Sequence, residues 1–350
     1  MNKRSVGILS LAIVVMVLLA YLGAGPTVMD SNRTGQRVLP DLKASLDEVS
    51  AVHVQAATRN GAEQATHLVR TNGVWQVQER DGYEVDRAKL VSLLRASAEM
   101  QYLEPKTANP ELLPQLGLQA ISVPDSEALL MTFIAADKSW SVLVGKQPVE
   151  REGQYIRLVD DPQAWLADKP LVFAANPAAW LAPVILNIDA AAVTAVVLGA
   201  QQPGSVEIDN AADPAQPIEN ARIVNLPAGK MLKYPGVADE ITRSLVNLRL
   251  QDVQPYNALE WEGAITVQFE LGDNRTLLIR GIEKQGGYWL AVTTGSIFSD
   301  ADRLVFGLRD DIDHWAYKVG QYHYAQLART MDDFVEASVE QSNNNDELQR

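Results

Sequence analysis

No cysteine occurs in the 350 residues of the chain. Disulfide staples, thiolate zinc sites, iron–sulfur clusters, a cysteine nucleophile and the acylated cysteine of a bacterial lipoprotein are all excluded. Histidine is scarce, so imidazole chemistry would have to come from His53, His67, His314 or His323. Positive charge is in deficit: 30 Lys and Arg stand against 44 Asp and Glu, a net charge of −14. Polyanions are on average repelled by such a surface, and no nucleic-acid partner is expected.

Motifs for nucleotide and hydrolytic chemistry are missing as well. Gly145-Lys146 and Gly229-Lys230 lack the upstream glycine of a phosphate cradle, and no GxGxxG, HExxH, GxSxG or EF-hand loop is found. His314 and His323 lie near Asp310, Asp311 and Asp313, a mixture of metal-ligand types, but their separation does not suit a helical site. Asp160-Asp161 reads as a turn before Pro162, and Glu260 and Glu262 flank Trp261 at a strand entrance. Trp261, Trp289, Trp315 and Tyr322 could pave a groove or fill a core. The expectation is a non-enzymatic protein, with no catalytic residue, no cofactor and no metal site.

What the sequence does contain is globular: 47% apolar and 21% charged residues, in a length that suits two ordinary domains. Lys3 and Arg4 precede an uncharged apolar run, residues 6–25, which as a helix would span the roughly 30 Å hydrocarbon layer of a bilayer. The positive-inside rule then keeps the N-terminus cytoplasmic and places the rest across a bacterial inner membrane, as a single-pass protein facing the periplasm. A cleaved signal peptide is the competing reading, since Gly23-Ala24-Gly25 offers small residues at its end. Residues 26–45 read as a tether and residues 336–350 as a polar, disordered tail.

Between these lies an internal repeat. The segment from Leu129 to Gly145 aligns without gaps on Ile265 to Gly281, with Phe133 on Phe269, Asp137 on Asp273 and the closing glycines coincident. Each copy predicts a strand, a polar turn and a second strand. Upstream, Asp86 is placed to cap a helix with Leu90, Leu93, Leu94 and Ala98 on one face, and Asp239 to cap another with Ile241, Leu245 and Leu248. Before each helix, Val49, Val52 and Val54 match Val193, Val196 and Leu198 in spacing, and downstream Trp180 falls opposite Trp315. The predicted fold class is α+β: an N-terminal transmembrane helix, then two tandem repeats over 46–187 and 188–335, each an antiparallel sheet packed on one principal helix.

The order of these features resembles the domain-of-unknown-function 4340 family. It is carried by Asn72-Gly73-Val74-Trp75-Gln76-Val77, the helix opened by Val85-Asp86 and ending near Tyr102-Leu103-Glu104-Pro105, Leu113-Pro114-Gln115-Leu116-Gly117-Leu118, Leu143-Val144-Gly145 and Tyr155-Ile156-Arg157. The second half departs from the pattern, having no Gly-Leu before Ala264. The resemblance implies an accessory protein beside ABC-transporter or gliding-motility-type components, and it supplies no catalytic residue to transfer. The expected function is a membrane-anchored, extracytoplasmic interaction subunit, held by residues 6–25 and contacting envelope proteins such as ABC-transporter components. The alternatives are a periplasmic module binding a glycan, peptide or lipid, or an envelope hydrolase.

Overall fold

Alternating apolar residues in both halves of the chain pair into two large antiparallel sheets. The computed structural model describes residues 31–59, 62–200, 202–210, 221–272, 275–295 and 298–337. Two units divide it, Met1–Trp180 and Leu181–Arg350.

The first unit holds β1 (Val49–Arg59), β2 (Ala62–Thr71), β3 (Val74–Val77), β4 (Tyr83–Glu84), β5 (Tyr102–Pro105), β6 (Leu129–Ala135), β7 (Lys138–Val144), β8 (Gln154–Leu158) and β9 (Ala164–Ala167). They form one sheet in the order β4-β3-β2-β1-β6-β7-β8-β9-β5. In β6, Met131, Phe133 and Ala135 are buried while their neighbours are half-buried, the period-two pattern of a strand with one core face. Ala136 and Asp137 join β6 to β7, with Ala136 at φ 47.

Between β4 and β5 runs the helix α1 (Arg87–Glu99), rich in Ala, Leu, Arg and Lys, which lose little freedom in a helix. The Asp86 carboxylate accepts from the Lys89 amide at 3.1 Å, the expected cap. Leu90, Leu93 and Ala98 are buried; each leucine contributes roughly 2 kcal/mol by leaving water. Trp180 seals the unit: its carbonyl accepts from the Asp86 amide at 2.7 Å, its indole donates to the Ala174 carbonyl at 2.8 Å, and the Lys89 ammonium sits 4.8 Å from its ring centre. After β5, the short helix α2 (Leu113–Leu116) ends on Gly117 at φ 67, a left-handed conformation that suits glycine. Leu113 and Leu118 there join Ala128, Leu143 and Ala164 in a second, smaller core.

The second unit repeats this sheet. Its strands are β10 (Val184–Leu186), β11 (Val193–Leu198), β12 (Val206–Asp209), β13 (Arg222–Ile223), β14 (Lys230–Leu232), β15 (Leu248–Arg249), β16 (Asp252–Pro255), β17 (Ile265–Leu271), β18 (Arg275–Lys284), β19 (Gly287–Thr294), β20 (Trp315–Val319) and β21 (Val335–Ala337). Eight of them run β13-β12-β11-β17-β18-β19-β20-β16, the order of the first sheet without one edge strand. The likeness extends to irregularities. The β1–β6 register shifts between Val49 and Ala51, and the β11–β17 register between Val193 and Ala195. At these bulges Ser50 donates to the Ile134 carbonyl and Thr194 to the Glu270 carbonyl.

Several expectations are corrected by the fold. The architecture is mainly antiparallel sheet, and among the described residues the second sheet has no principal helix. Where one was expected from Asp239, there is a single α-helical turn, α3 (Asp239–Thr242), followed by a 3-10 turn over Arg243–Leu245. Ile241, Thr242, Ser244, Val246 and Asn247 are weaker helix formers than the residues of α1, and Asn247 turns left-handed at φ 51. Asp239 is not a cap; its carboxylate accepts from the Ala221 amide at 3.0 Å. Trp315 has Trp165, not Trp180, as its counterpart, since Pro105 pairs with Trp165 across β5–β9 and Pro255 with Trp315 across β16–β20. Of the segment read as a tether, residues 31–45 are described, and Val38, Leu39 and Leu42 within it are buried.

No helix among the described residues is long and apolar enough to cross a membrane. The run at 6–25, on which the transmembrane helix rested, lies outside the described residues, as does the tail from 338. The single-pass inner-membrane localisation is corrected with the fold class: the described chain is two sheet units with no membrane-spanning helix.

Candidate functional site

A concavity of the first unit opens between α1 and the residues of β1 to β4 that face it. It is a groove of about 400 Å³. Leu46, Val49, Trp75, Val85, Leu90 and Leu94 line its apolar part, and Val74 and Val91 stand at its mouth, both more than two-fifths exposed. The sequence forms it in three steps. Asn72 and Gly73, both at positive φ, turn β2 into β3 and bring Trp75 opposite Arg70. Backbone pairing of the Val85 amide with the Trp75 carbonyl, at 2.9 Å, ties the entry of α1 to β3. The helical period then sets Arg87, Val91 and Arg95 in one exposed row along the groove.

The charge at this mouth differs from that of the whole chain. Arg70, Arg87 and Arg95 line the groove with Asp47 and Glu84. Arg70 donates to the Asp47 backbone carbonyl at 3.1 Å. Among the described residues, none of the three arginines has a carboxylate within ion-pair distance. Cations elsewhere in the chain are neutralised: Arg33 by Asp161 at 2.6 Å, Lys146 by Glu127 at 2.6 Å, Arg275 by Asp302 at 2.7 Å and Arg329 by Glu240 at 2.6 Å. The groove is thus an apolar slot with unpaired guanidinium groups on its rim, a combination that suits recognition of an anionic, partly apolar ligand.

Residues singled out from sequence lie elsewhere. His314 is exposed in a 3-10 turn before β20, and His323 stands on a separate helix beside the Tyr322 ring. Asp311 accepts from Arg309 at 2.9 Å and from the Trp315 indole at 2.9 Å; the guanidinium and indole hold its carboxyl below the usual range, against its burial. Asp161 accepts from Arg33 and from the Gln163 amide. Glu260 is almost fully exposed and 3.5 Å from Lys284. Trp289 and Trp315 are buried, Trp261 stacks on Tyr256 with ring centres 5.2 Å apart, and Tyr322 is exposed apart from them. Leu259, Ile282, Trp289 and Ala316 form one cluster, with Trp261 packed against it. Trp261, Trp289 and Trp315 pack into the unit instead of paving a groove, and Tyr322 stands apart from them.

The remaining histidines meet. His53 and His67 face each other across β1–β2 with ring centres 4.5 Å apart, and Glu79 accepts from the His67 amide and lies 2.5 Å from its Nδ1. Burial, then the neighbouring His67, lowers the pKa of His53, with Glu79 opposing. Among the described residues, no group of three or more His, Asp or Glu is arranged to hold a metal ion. The groove itself escaped the sequence reading, although Arg87, Val91 and Arg95 at four-residue intervals in an acidic chain were its available signal.

No curated protein and no solved structure matches the chain. A family profile does, over residues 75–264, from Trp75 at the groove through the first sheet and into the second. That profile describes a domain of unknown function, and it covers more than half of the sequence: the chain belongs to the DUF4340 family.

Proposed function

We propose that this protein is a non-enzymatic interaction subunit that receives a partner segment in the α1 groove. The groove carries the reading: an apolar floor ending in half-exposed Trp75, an exposed Val91 and three arginines that have no carboxylate within ion-pair distance among the described residues. Such a surface gains by covering apolar area and by neutralising charge, both of which a protein partner supplies. The partner class we favour is a component of an ABC-transporter or gliding-motility-type assembly, as the resemblance within the family suggests. A photo-reactive residue at Val91, used in cells that express the native chain, tests it against the same residue at exposed Leu304 in the second unit. Cross-linking of a transporter or motility component from Val91 and not from Leu304 is the expected result. Equal products from both positions, or none from Val91, would refute it.

A further inference from the structure

We infer that the occupant of the α1 groove is an extended, acidic segment of a partner protein, with an apolar residue between two carboxylates. The inference rests on the interaction reading above and adds the chemistry of the partner. Arg87 and Arg95 are eight residues apart on α1, so their Cα atoms are separated by about 12 Å along the helix axis. A strand rises about 3.3 Å per residue, and residues two apart share a face. Carboxylates at positions i and i+4 of an extended segment are therefore about 13 Å apart on one face. The residue at i+2 lies midway on that same face, where Val91 is midway between the two arginines and Leu94 and Trp75 line the slot.

Size and charge point the same way. At about 400 Å³ the groove lies near the lower end of the range for ligand sites, which suits a few side chains of an extended chain better than a second helix laid along α1. Against the net charge of −14, the rim carries three arginines, and the carboxylates beside it, Asp47 and Glu84, are fewer. An acidic segment would be repelled by most of this protein and attracted at this mouth, so charge selects the place as well as the partner. Among the described residues the second unit has no counterpart, because α3 is one turn long and offers no eight-residue row.

The test uses the full chain and a fluorescent peptide of sequence Gly-Glu-Ser-Leu-Ser-Glu-Gly, read by anisotropy at low and high salt. Expected are saturable binding, weakening with added salt, and binding at least tenfold weaker when both glutamates are lysine or are placed two residues apart. The double variant Arg87→Glu, Arg95→Glu should lose at least tenfold. A glutamate in the first turn favours the helix dipole, so α1 should persist, which circular dichroism verifies. A lysine peptide binding as well as the acidic one, or an unaffected double variant, would overturn the inference. So would a concentration-dependent dimer of this chain that the double variant abolishes, since the occupant would then be a second copy. If Val91 cross-links a transporter component while the acidic peptide fails to bind, the interaction reading stands and the acidic chemistry falls. If the peptide binds and no such cross-link forms, the chemistry stands and the assigned partner falls.

Discussion

Replacing Gly145 by alanine should destabilise the first unit by about 2–3 kcal/mol, whereas the same change at Gly281, its partner in the aligned hairpins, should cost under about 1 kcal/mol. Ordinarily the change would help slightly, since alanine restricts the unfolded chain by about 0.4–1 kcal/mol. At Gly145 a Cβ would lie 2.2 Å from the Leu116 carbonyl oxygen, 3.0 Å from that of Gly117 and 2.9 Å from Leu118 Cγ. Two of these are backbone atoms of the α2 turn, so the turn must move. Moving it strains the bond from the Lys146 amide to the Leu116 carbonyl, 2.9 Å long, and loosens the cluster of Leu113, Leu118 and Leu143. Overpacking of about 1–3 kcal/mol, with about 1 kcal/mol for the hydrogen bond, exceeds the entropic gain. At Gly281 the contacts are Ile265 Cγ1 at 2.9 Å, Ile265 Cδ1 at 3.1 Å and Tyr324 Cε2 at 3.1 Å, all side-chain atoms. Ile265 must turn about χ1 and the Tyr324 ring must shift, an adjustment of side chains that leaves the backbone in place. Hydrogen exchange reads the two units separately: strand amides of β6 and β7 should lose roughly tenfold or more protection in Gly145→Ala, and those of β17 and β18 little in Gly281→Ala. Unchanged protection in Gly145→Ala, or equal losses in the two variants, would refute the steric argument.

Asp86→Ala removes the α1 cap and should cost the first unit about 1 kcal/mol, measured as a lower urea midpoint, with peptide affinity at the groove reduced as the first turn frays. A midpoint equal to that of the native chain would show that the carboxylate does not hold the helix start. The lowered pKa of His53 sets a pH dependence: just below about pH 6.5 the unfolded chain binds a proton that the folded imidazole resists. The contribution of His53 to stability should therefore decline as the pH falls below about 6.5, and His53→Gln should remove that decline. An NMR titration of His53 with a midpoint at or above the ordinary histidine value would contradict it.

Local signals were the legible part of the fold. The Asp86 cap, the α1 apolar face and the β6–β7 hairpin each depend on a few neighbouring residues whose spacing is visible in sequence. Asp239 shows where such reasoning ends: it has the residue type of a cap, but it is drawn into a bond with the Ala221 amide that only the folded chain brings near. Trp180 and Trp315 match in spacing yet differ in place, because strand pairing sets Trp165 and Trp315 each opposite a proline. The groove was hidden for a related reason. Its walls come from the start of β3, the start of β1 and the outer row of α1, and among the described residues the lack of a carboxylate within ion-pair distance of each arginine is a property of space.

The placement of β5 and β16 bears on the order in which the chain can fold as it is made. Each is synthesised midway through its sheet, yet each is the edge that must wait for the last strand: Tyr102 pairs with Ala167 and Asp252 with Lys318, beyond all of the intervening strands. Neither strand can find its partner until the last strand of its sheet has left the ribosome; Tyr102 of β5 can bond meanwhile to Gly35 and Gln36, but the donors and acceptors of β16 stay open to other chains. Pro105 and Pro255, at the ends of these two waiting strands, have no amide hydrogen to offer, so both exposed edges are shortened during the interval in which mispairing is most dangerous.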